Sequence, residues 1–246
     1  MRSTRIFQVL AARDRLRRLA RRMGYEVRQY TPLRSLAAAR AALFESRGID
    51  VVLDVGANSG QYGTMLREAG YSGRLVSLEP VAEAYAELRR LAEADGAWTA
   101  ECVAASDVDA EVTLNVTGDS RSSSVLHRNE RFADKPGWAP ATSRGVPARR
   151  LDGLVAELLR PHERAYLKLD VQGYERTVLE GAGEALARFE GLELELSLTA
   201  LYEGQPSLTE MLPLLEQRGF RPISLEPILL DDDGHLMELD GLFART

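Results

Sequence analysis

Residues 51 to 79 leave a chain few ways to fold. Val51-Val52-Leu53-Asp54-Val55 is a short β-branched and aliphatic run, which reads as a strand buried on both faces. Gly56-Ala57-Asn58-Ser59-Gly60 follows as a turn that opens into a helical pattern, and Leu75-Val76-Ser77-Leu78-Glu79-Pro80 is a second apolar strand ending in a carboxylate. A strand, a helix and a strand in that order lie parallel, with the helix crossing over one face. Gly56 lets the chain turn sharply beside a ligand. Gly60 removes a side chain where helix and ligand crowd, and the free N–H groups of the following helix favour an anionic group. An acid at the spacing of Glu79 is placed to bind the two hydroxyls of a ribose, which points to a nucleoside-containing cofactor.

The dinucleotide fingerprint Gly-x-Gly-x-x-Gly is not met, because Ala57 and Asn58 follow Gly56 and the pyrophosphate-cradling glycine is missing. Asp-x-Gly-x-Asn-x-Gly followed by Glu-Pro, here Asp54 to Gly60 with Glu79-Pro80, resembles motifs I and II of S-adenosylmethionine-dependent methyltransferases, whose cofactor has a ribose but no phosphate. Further on, Leu167-Lys168-Leu169-Asp170-Val171-Gln172-Gly173-Tyr174-Glu175 resembles the Lys-Ile-Asp-Val-Glu-Gly-x-Glu hallmark of the FkbM family, methyltransferases that mostly act on hydroxyl groups of sugars and polyketides. Gln172 stands where Glu is commoner. The resemblance spans residues 48 to 200 in order. It implies that Gly56, Asn58 and Gly60 surround the methionine end of S-adenosylmethionine, that Glu79 binds its ribose, that Asp54 supports the first loop, and that Ala57 and Pro80 belong to the same cofactor site. Ala104, in the stretch Ala104-Ala105-Ser106-Asp107, would lie beside the adenine, where small residues leave room for a flat ring.

At 246 residues, 45% hydrophobic and 28% charged, the chain fits one α/β domain with a full core and a short appendage. The expected division is a basic helical extension over residues 1–47 and a methyltransferase domain over 48–246. Its fold would be a doubly wound, Rossmann-like methyltransferase sheet. Cys102 is the sole cysteine, which excludes an intrachain disulfide and a Cys/His zinc site, and makes a reducing cytoplasm the default. There is no signal peptide with an apolar centre and no run of eighteen apolar residues.

Charge is unevenly spread. Residues 1 to 30 hold nine arginines against Asp14 and Glu26, a local +7, which leaves −13 for the remainder and argues against nucleic acid as a partner. Residues 5 to 23 set Ile6, Val9, Leu10, Leu16, Leu19 and Met23 at helical steps among arginines, a basic amphipathic helix. Such a helix suits an anionic membrane surface at the inner face, a glycosyltransferase partner, or simple packing on its own domain.

The periodicity predicts helices over 35–47, 61–69, 81–94, 174–187 and 207–218. Strands are expected at 98–104, 111–116, 164–171 and 192–197, with 221–225 and 241–244 closing the sheet. Residues 117 to 147 break the rhythm with Ser122-Ser123-Ser124, Pro136-Gly137, Pro140 and two aromatics, Phe132 and Trp138, that look exposed. A span of this kind reads as a lid or binding loop. Asp231-Asp232-Asp233-Gly234 lacks the alternating ligand spacing of a calcium loop and reads as a solvated hairpin tip.

Methylating a small-molecule or glycan hydroxyl requires its proton to be removed or its oxygen to be polarised by a metal. Asp170 is the carboxylate best placed for either role, with helix capping as the alternative. Glu175 is a second catalytic candidate or a first-turn helix acid. Lys168, on the same side of the strand as Asp170, is expected to meet Asp170, Glu193 or Glu195. Asp170 and Glu195 are the candidate ligands for a divalent cation such as magnesium. His127 is placed in the lid, with His162 and His235 in turns. The rivals to a sugar O-methyltransferase are a polyketide O-methyltransferase, a nucleotide-dependent oxidoreductase, and a non-catalytic cofactor-binding partner subunit.

Overall fold

The computed structural model describes residues 14–27, 29–117, 120, 122–132 and 142–246 of the chain. A helix over 14–22 (α1) precedes α2 (Leu36–Arg47), which Ser35 caps through the Ala38 amide and Gly48 ends at φ 59°. Strands and helices then alternate through β1 (Val51–Val55), α3 (Gln61–Glu68), β2 (Arg74–Leu78), α4 (Ala82–Asp95) and β3 (Trp98–Glu101). Three strands follow: β4 (Ala104–Ser106), β5 (Ala110–Val116) and β6 (Thr142–Arg150). The rest is α5 (Leu151–Leu158), β7 (Ala165–Leu169), α6 (Glu175–Ala182), β8 (Phe189–Ser197), α7 (Leu208–Gln217), β9 (Phe220–Leu230) and β10 (Leu236–Arg245).

Seven strands form one sheet in the order β3-β2-β1-β7-β8-β10-β9. The first five run parallel, and β10 is antiparallel to both β8 and β9. Alternation along β1 explains the layers. Val51, Leu53 and Val55 share a core with Leu154 of α5, Val178 of α6 and Met211 of α7, whereas Val52 shares one with Leu43 of α2, Leu66 of α3 and Leu88 of α4. Helices therefore cover both faces of a mostly parallel sheet, the doubly wound arrangement the motif order implied. α2 is one of the covering helices: Leu36, Ala39, Leu43 and Phe44 pack with Tyr166 and Leu242. Packing thus runs on across the boundary drawn at residue 48.

The hairpin β9–β10 closes the sheet, with residues 231–234 in its turn. Elsewhere three expectations change. The third strand does not continue from Trp98 to Ala104: β3 stops at Glu101, and β4 pairs instead with β6 in a second sheet of order β4-β6-β5. Residues 142–147, read as the end of a lid, belong to β6 and pair with β5 from Val116↔Thr142 onward. Phe132 is buried with Leu201, Tyr202 and Met237 rather than exposed. Trp138, Pro136, Gly137 and Pro140 lie outside the described residues, as do Ile6, Val9 and Leu10. In the described part of the basic helix, Leu16, Leu19 and Met23 are 57%, 55% and 61% exposed, so this length of the apolar stripe does not pack on the domain. Among the described residues no helix is long and apolar enough to cross a membrane.

Candidate functional site

The sheet order reverses between β1 and β7, so the loops leaving their carboxyl ends diverge and open a crevice between them. A cavity of about 530 Å³ lies there, within the size range of small-molecule sites. Asp54, Gly56, Ala57, Asn58, Glu79, Pro80 and Ala104 line one part of it, and Lys168, Asp170 and Glu195 another. Residues assigned to cofactor and acceptor chemistry from separate motifs thus share one space.

The two loops touch at Gly56. At φ 80° it adopts a conformation other residues resist, and a Cβ built on it would lie 1.9 Å from the backbone oxygen of Asp170. The Asp170 amide also donates to the Val55 carbonyl at 2.9 Å. Asn58 is itself left-handed at φ 47°, which asparagine tolerates. Its Oδ1 accepts from the Ser59 amide (2.8 Å), and its Nδ2 donates to Ser120 Oγ (2.8 Å). Asn58 therefore makes the left-handed turn without a glycine, and its side chain ties the loop to Ser59 and Ser120.

Glu79 is buried, with Oε2 accepting from the Asn58 amide at 2.8 Å and Oε1 from the Val81 amide at 2.7 Å. Those bonds fix the carboxylate across the mouth of the first loop. Burial pushes its carboxyl up to about 7, partly offset by the two amides. Asp54 is also raised to about 7 by burial, with the charge of Lys168 working in the opposite direction.

Two predicted site residues lie elsewhere. A Cβ on Gly60 would meet Leu91, Leu88 and Trp98 at 3.0 to 3.2 Å, so this glycine makes room for α4 and β3 rather than for a ligand. Glu175 is buried beneath the loop after β7, where its Oε1 accepts from the Val171 and Gly173 amides at 3.2 Å each. It braces that loop and does not line the cavity, which corrects its assignment as a catalytic acid. His127 is exposed and away from the cavity.

Lys168 is the next correction. Strand register sets Ser77, Asp54, Lys168 and Glu193 side by side on the α2 face of the sheet. Glu193 is taken by Arg40 of α2, in a two-pronged contact at 2.7 and 3.0 Å, and by the hydroxyls of Tyr166 (2.7 Å) and Tyr62 (3.2 Å). Burial alone would raise its carboxyl, but the charges of Arg40 and Lys168 hold it below the ordinary range. The Lys168 amine donates to the Leu169 carbonyl at 3.3 Å and sits 5.9 Å from the centre of the Tyr62 ring, not in ion-pair contact with Asp170, Glu193 or Glu195. Desolvation would lower its pKa. The charges of Asp170, Glu193, Asp240 and Glu195 outweigh that and keep it an ammonium.

The expected magnesium site between Asp170 and Glu195 is filled by a side chain. Gln172 Nε2 donates to Asp170 Oδ1 and to Glu195 Oε2, both at 2.9 Å. The donor set there is two carboxylates with an amide nitrogen between them, which does not fit a hard cation. Among the described residues, Asp231, Asp233 and His235 at the hairpin tip bring three ligand groups close enough for a metal, but two of them are exposed and Asp231 already accepts from two turn amides.

Tyr202, Arg128 and Glu238 are among the cavity residues that the sequence did not reveal. Ser124 and Arg128 tie residues 122–132 to the site, Ser124 Oγ donating to the Gln172 carbonyl (2.7 Å) and Arg128 lying over the Tyr202 ring (5.0 Å). The described part of the aperiodic span is thus a wall of the cavity.

The family model described as "Methyltransferase FkbM domain" matches residues 54–222. Among solved structures, an FkbM methyltransferase from Methylobacillus flagellatus is similar at 14% identity and TM-score 0.47, over 78% of this chain and 43% of that one. This chain therefore spans under half the length of that relative. Magnesium protoporphyrin IX methyltransferase from Synechocystis, with S-adenosylmethionine bound, is similar at 11% identity and TM-score 0.48, over 85% of this chain and 78% of that one. Aeropyrum pernix fibrillarin, also with S-adenosylmethionine bound, has 10% identity and a TM-score of 0.44, covering 83% of this chain and 74% of its own. No functionally curated protein matches the chain.

Proposed function

This chain belongs to the FkbM methyltransferase family, and from that premise we propose that it transfers a methyl group from S-adenosylmethionine to a sugar hydroxyl in a glycolipid, polysaccharide or glycosylated natural product. The observation that carries the reading is the shared cavity: the Asp170 and Glu195 carboxylates face the same space as the Gly56–Asn58 loop and Glu79. A ribose diol can donate to Glu79, small Ala104 and Ala105 leave room for a flat base, and Gly56 supplies a close backbone approach. These features support a nucleoside cofactor without a pyrophosphate.

When bound, S-adenosylmethionine supplies a methyl carbon on a sulfonium and departs as the neutral thioether. Displacement at that carbon demands an in-line approach by the acceptor oxygen, so positioning does much of the work. Tyr202, Gln172 and Glu238 offer the acceptor hydroxyls hydrogen-bond partners along the cavity wall. Asp170 takes the hydroxyl proton on Oδ2, its Oδ1 being held by Gln172. The exposed stripe of Leu16, Leu19 and Met23 among arginines supports a peripheral position at an anionic membrane face.

Incubation with methyl-labelled S-adenosylmethionine and a panel of glycosides tests this reading. The expected product is a labelled sugar ether that survives alkali. Label appearing only in alkali-labile esters, or only on polyketide hydroxyls, would overturn the sugar assignment.

Cofactor affinity should also rise with pH. In the free protein the Glu79 carboxyl titrates at about 7, and two ribose hydroxyls require its ionised form as acceptor. Below pH 7 the proton must first be lost, so binding of S-adenosylhomocysteine should be roughly tenfold weaker at pH 6 than at pH 8. In Glu79→Gln the dependence should vanish. A dependence that persists in this variant would assign it to Asp54 instead.

A further inference from the structure

Three parts of the cavity meet at Gln172. Its backbone is left-handed at φ 54°, and its carbonyl accepts from Ser124 Oγ at 2.7 Å. Its side-chain oxygen lies 2.9 Å from the Tyr202 hydroxyl, and its Nε2 is 2.9 Å from both Asp170 Oδ1 and Glu195 Oε2. The amide turns its NH2 end toward the acids, and its two N–H bonds serve one acid each. The phenol then meets the amide oxygen. All three contacts demand the same orientation.

We propose that the Gln172 side-chain amide takes the place of a divalent cation in this site, holding Asp170 and Glu195 together as a pair without metal, and that a carboxylate at this position would turn the pair into a cation site. Two carboxyl groups facing one space repel each other when both are charged, unless a proton, a cation or a hydrogen-bond donor lies between them. Lys168 is directed to the Leu169 carbonyl and the Tyr62 ring, whereas the amide is in hydrogen-bond contact with both acids. Burial and the Asp170 charge push the Glu195 carboxyl upward, and the charge of Lys168 opposes them. A metal entering here would have to evict the amide and break its contact with Tyr202, in exchange for only two charged ligands. With a carboxylate at position 172 the same space would hold three, a donor set suited to a hard cation. The inference concerns the pair itself and stands whether or not the acceptor is a sugar.

Titration with Mn²⁺, following free ion by electron paramagnetic resonance, tests it in protein carrying Asp233→Ala to disable the hairpin-tip cluster. Relative to that parent, Gln172→Glu should bind one Mn²⁺ at least about a hundredfold more tightly, because affinity for hard cations follows the number of charged oxygen ligands. Gln172→Ala, which leaves the acids unbridged, should fall between the two. A parent that binds Mn²⁺ as tightly as Gln172→Glu would overturn the proposal, as would two folded variants that bind no better than the parent. If melting shows Gln172→Glu to be unfolded, Gln172→Ala decides: affinity equal to the parent's overturns it.

Discussion

Gly56→Ala should weaken binding of S-adenosylhomocysteine at least about a hundredfold, which corresponds to a loss of roughly 2.7 kcal/mol. Two costs combine. A non-glycine residue held at φ 80° costs about 1–2 kcal/mol in backbone strain. The added Cβ would also lie 1.9 Å from the Asp170 backbone oxygen, a contact no rotamer change relieves because both atoms belong to main chain or are fixed to it. The loops after β1 and β7 must then part, taking Asn58 and Asp170 out of register. Gly96→Ala separates strain from collision, since Gly96 is left-handed at φ 76° with nothing within 4 Å of its would-be Cβ. That control should melt slightly lower and bind normally. Calorimetry and thermal melts on both variants make the comparison, and near-normal binding by Gly56→Ala would remove the loop contact from the account.

Asp170→Asn should lower turnover by roughly 10² or more while leaving cofactor affinity almost unchanged. The substitution keeps the shape and an oxygen for Gln172 to bond, but it removes the charge that accepts the hydroxyl proton. Measuring kcat and cofactor Kd together separates this from a structural role, because a residue that merely braced its loop would be served nearly as well by asparagine. Near-native turnover would move the base to Glu195, the other carboxylate held by the same amide. Glu175 is no longer an alternative, since it is spent on two backbone amides.

The sheet was legible where strands were buried on both faces, because continuous runs such as 51–55 and 165–169 have no other use. It was illegible where one thin face was buried. β6 contains Gly145, Pro147 and three arginines and buries only Val146 and Ala148, so no period marked it as a strand. The run from Trp98 to Ala104 read as one strand because apolar residues recur through it; nothing in it says that its two halves belong to different sheets. Motif residues were found reliably as types, yet their direction was not. Gly60 and Glu175 sit in the expected turns but face α4 and backbone amides, since spacing fixes the turn and only packing decides what a side chain meets. Gln172 looked like a tolerated replacement, and its part as a bridge between two acids depended on β8 and Tyr202 arriving from far along the chain.

Calorimetric titration of the wild-type protein and Glu79→Ala with S-adenosylhomocysteine, run beside titration with NAD, decides whether this cavity binds S-adenosylmethionine through Glu79. One site is expected in the wild type, with no heat from NAD and at least about tenfold weaker binding in the variant, because the ribose loses charge-assisted hydrogen bonds worth roughly 1.5–3 kcal/mol. Binding of NAD with no heat from S-adenosylhomocysteine, or equal affinity in Glu79→Ala, would contradict it.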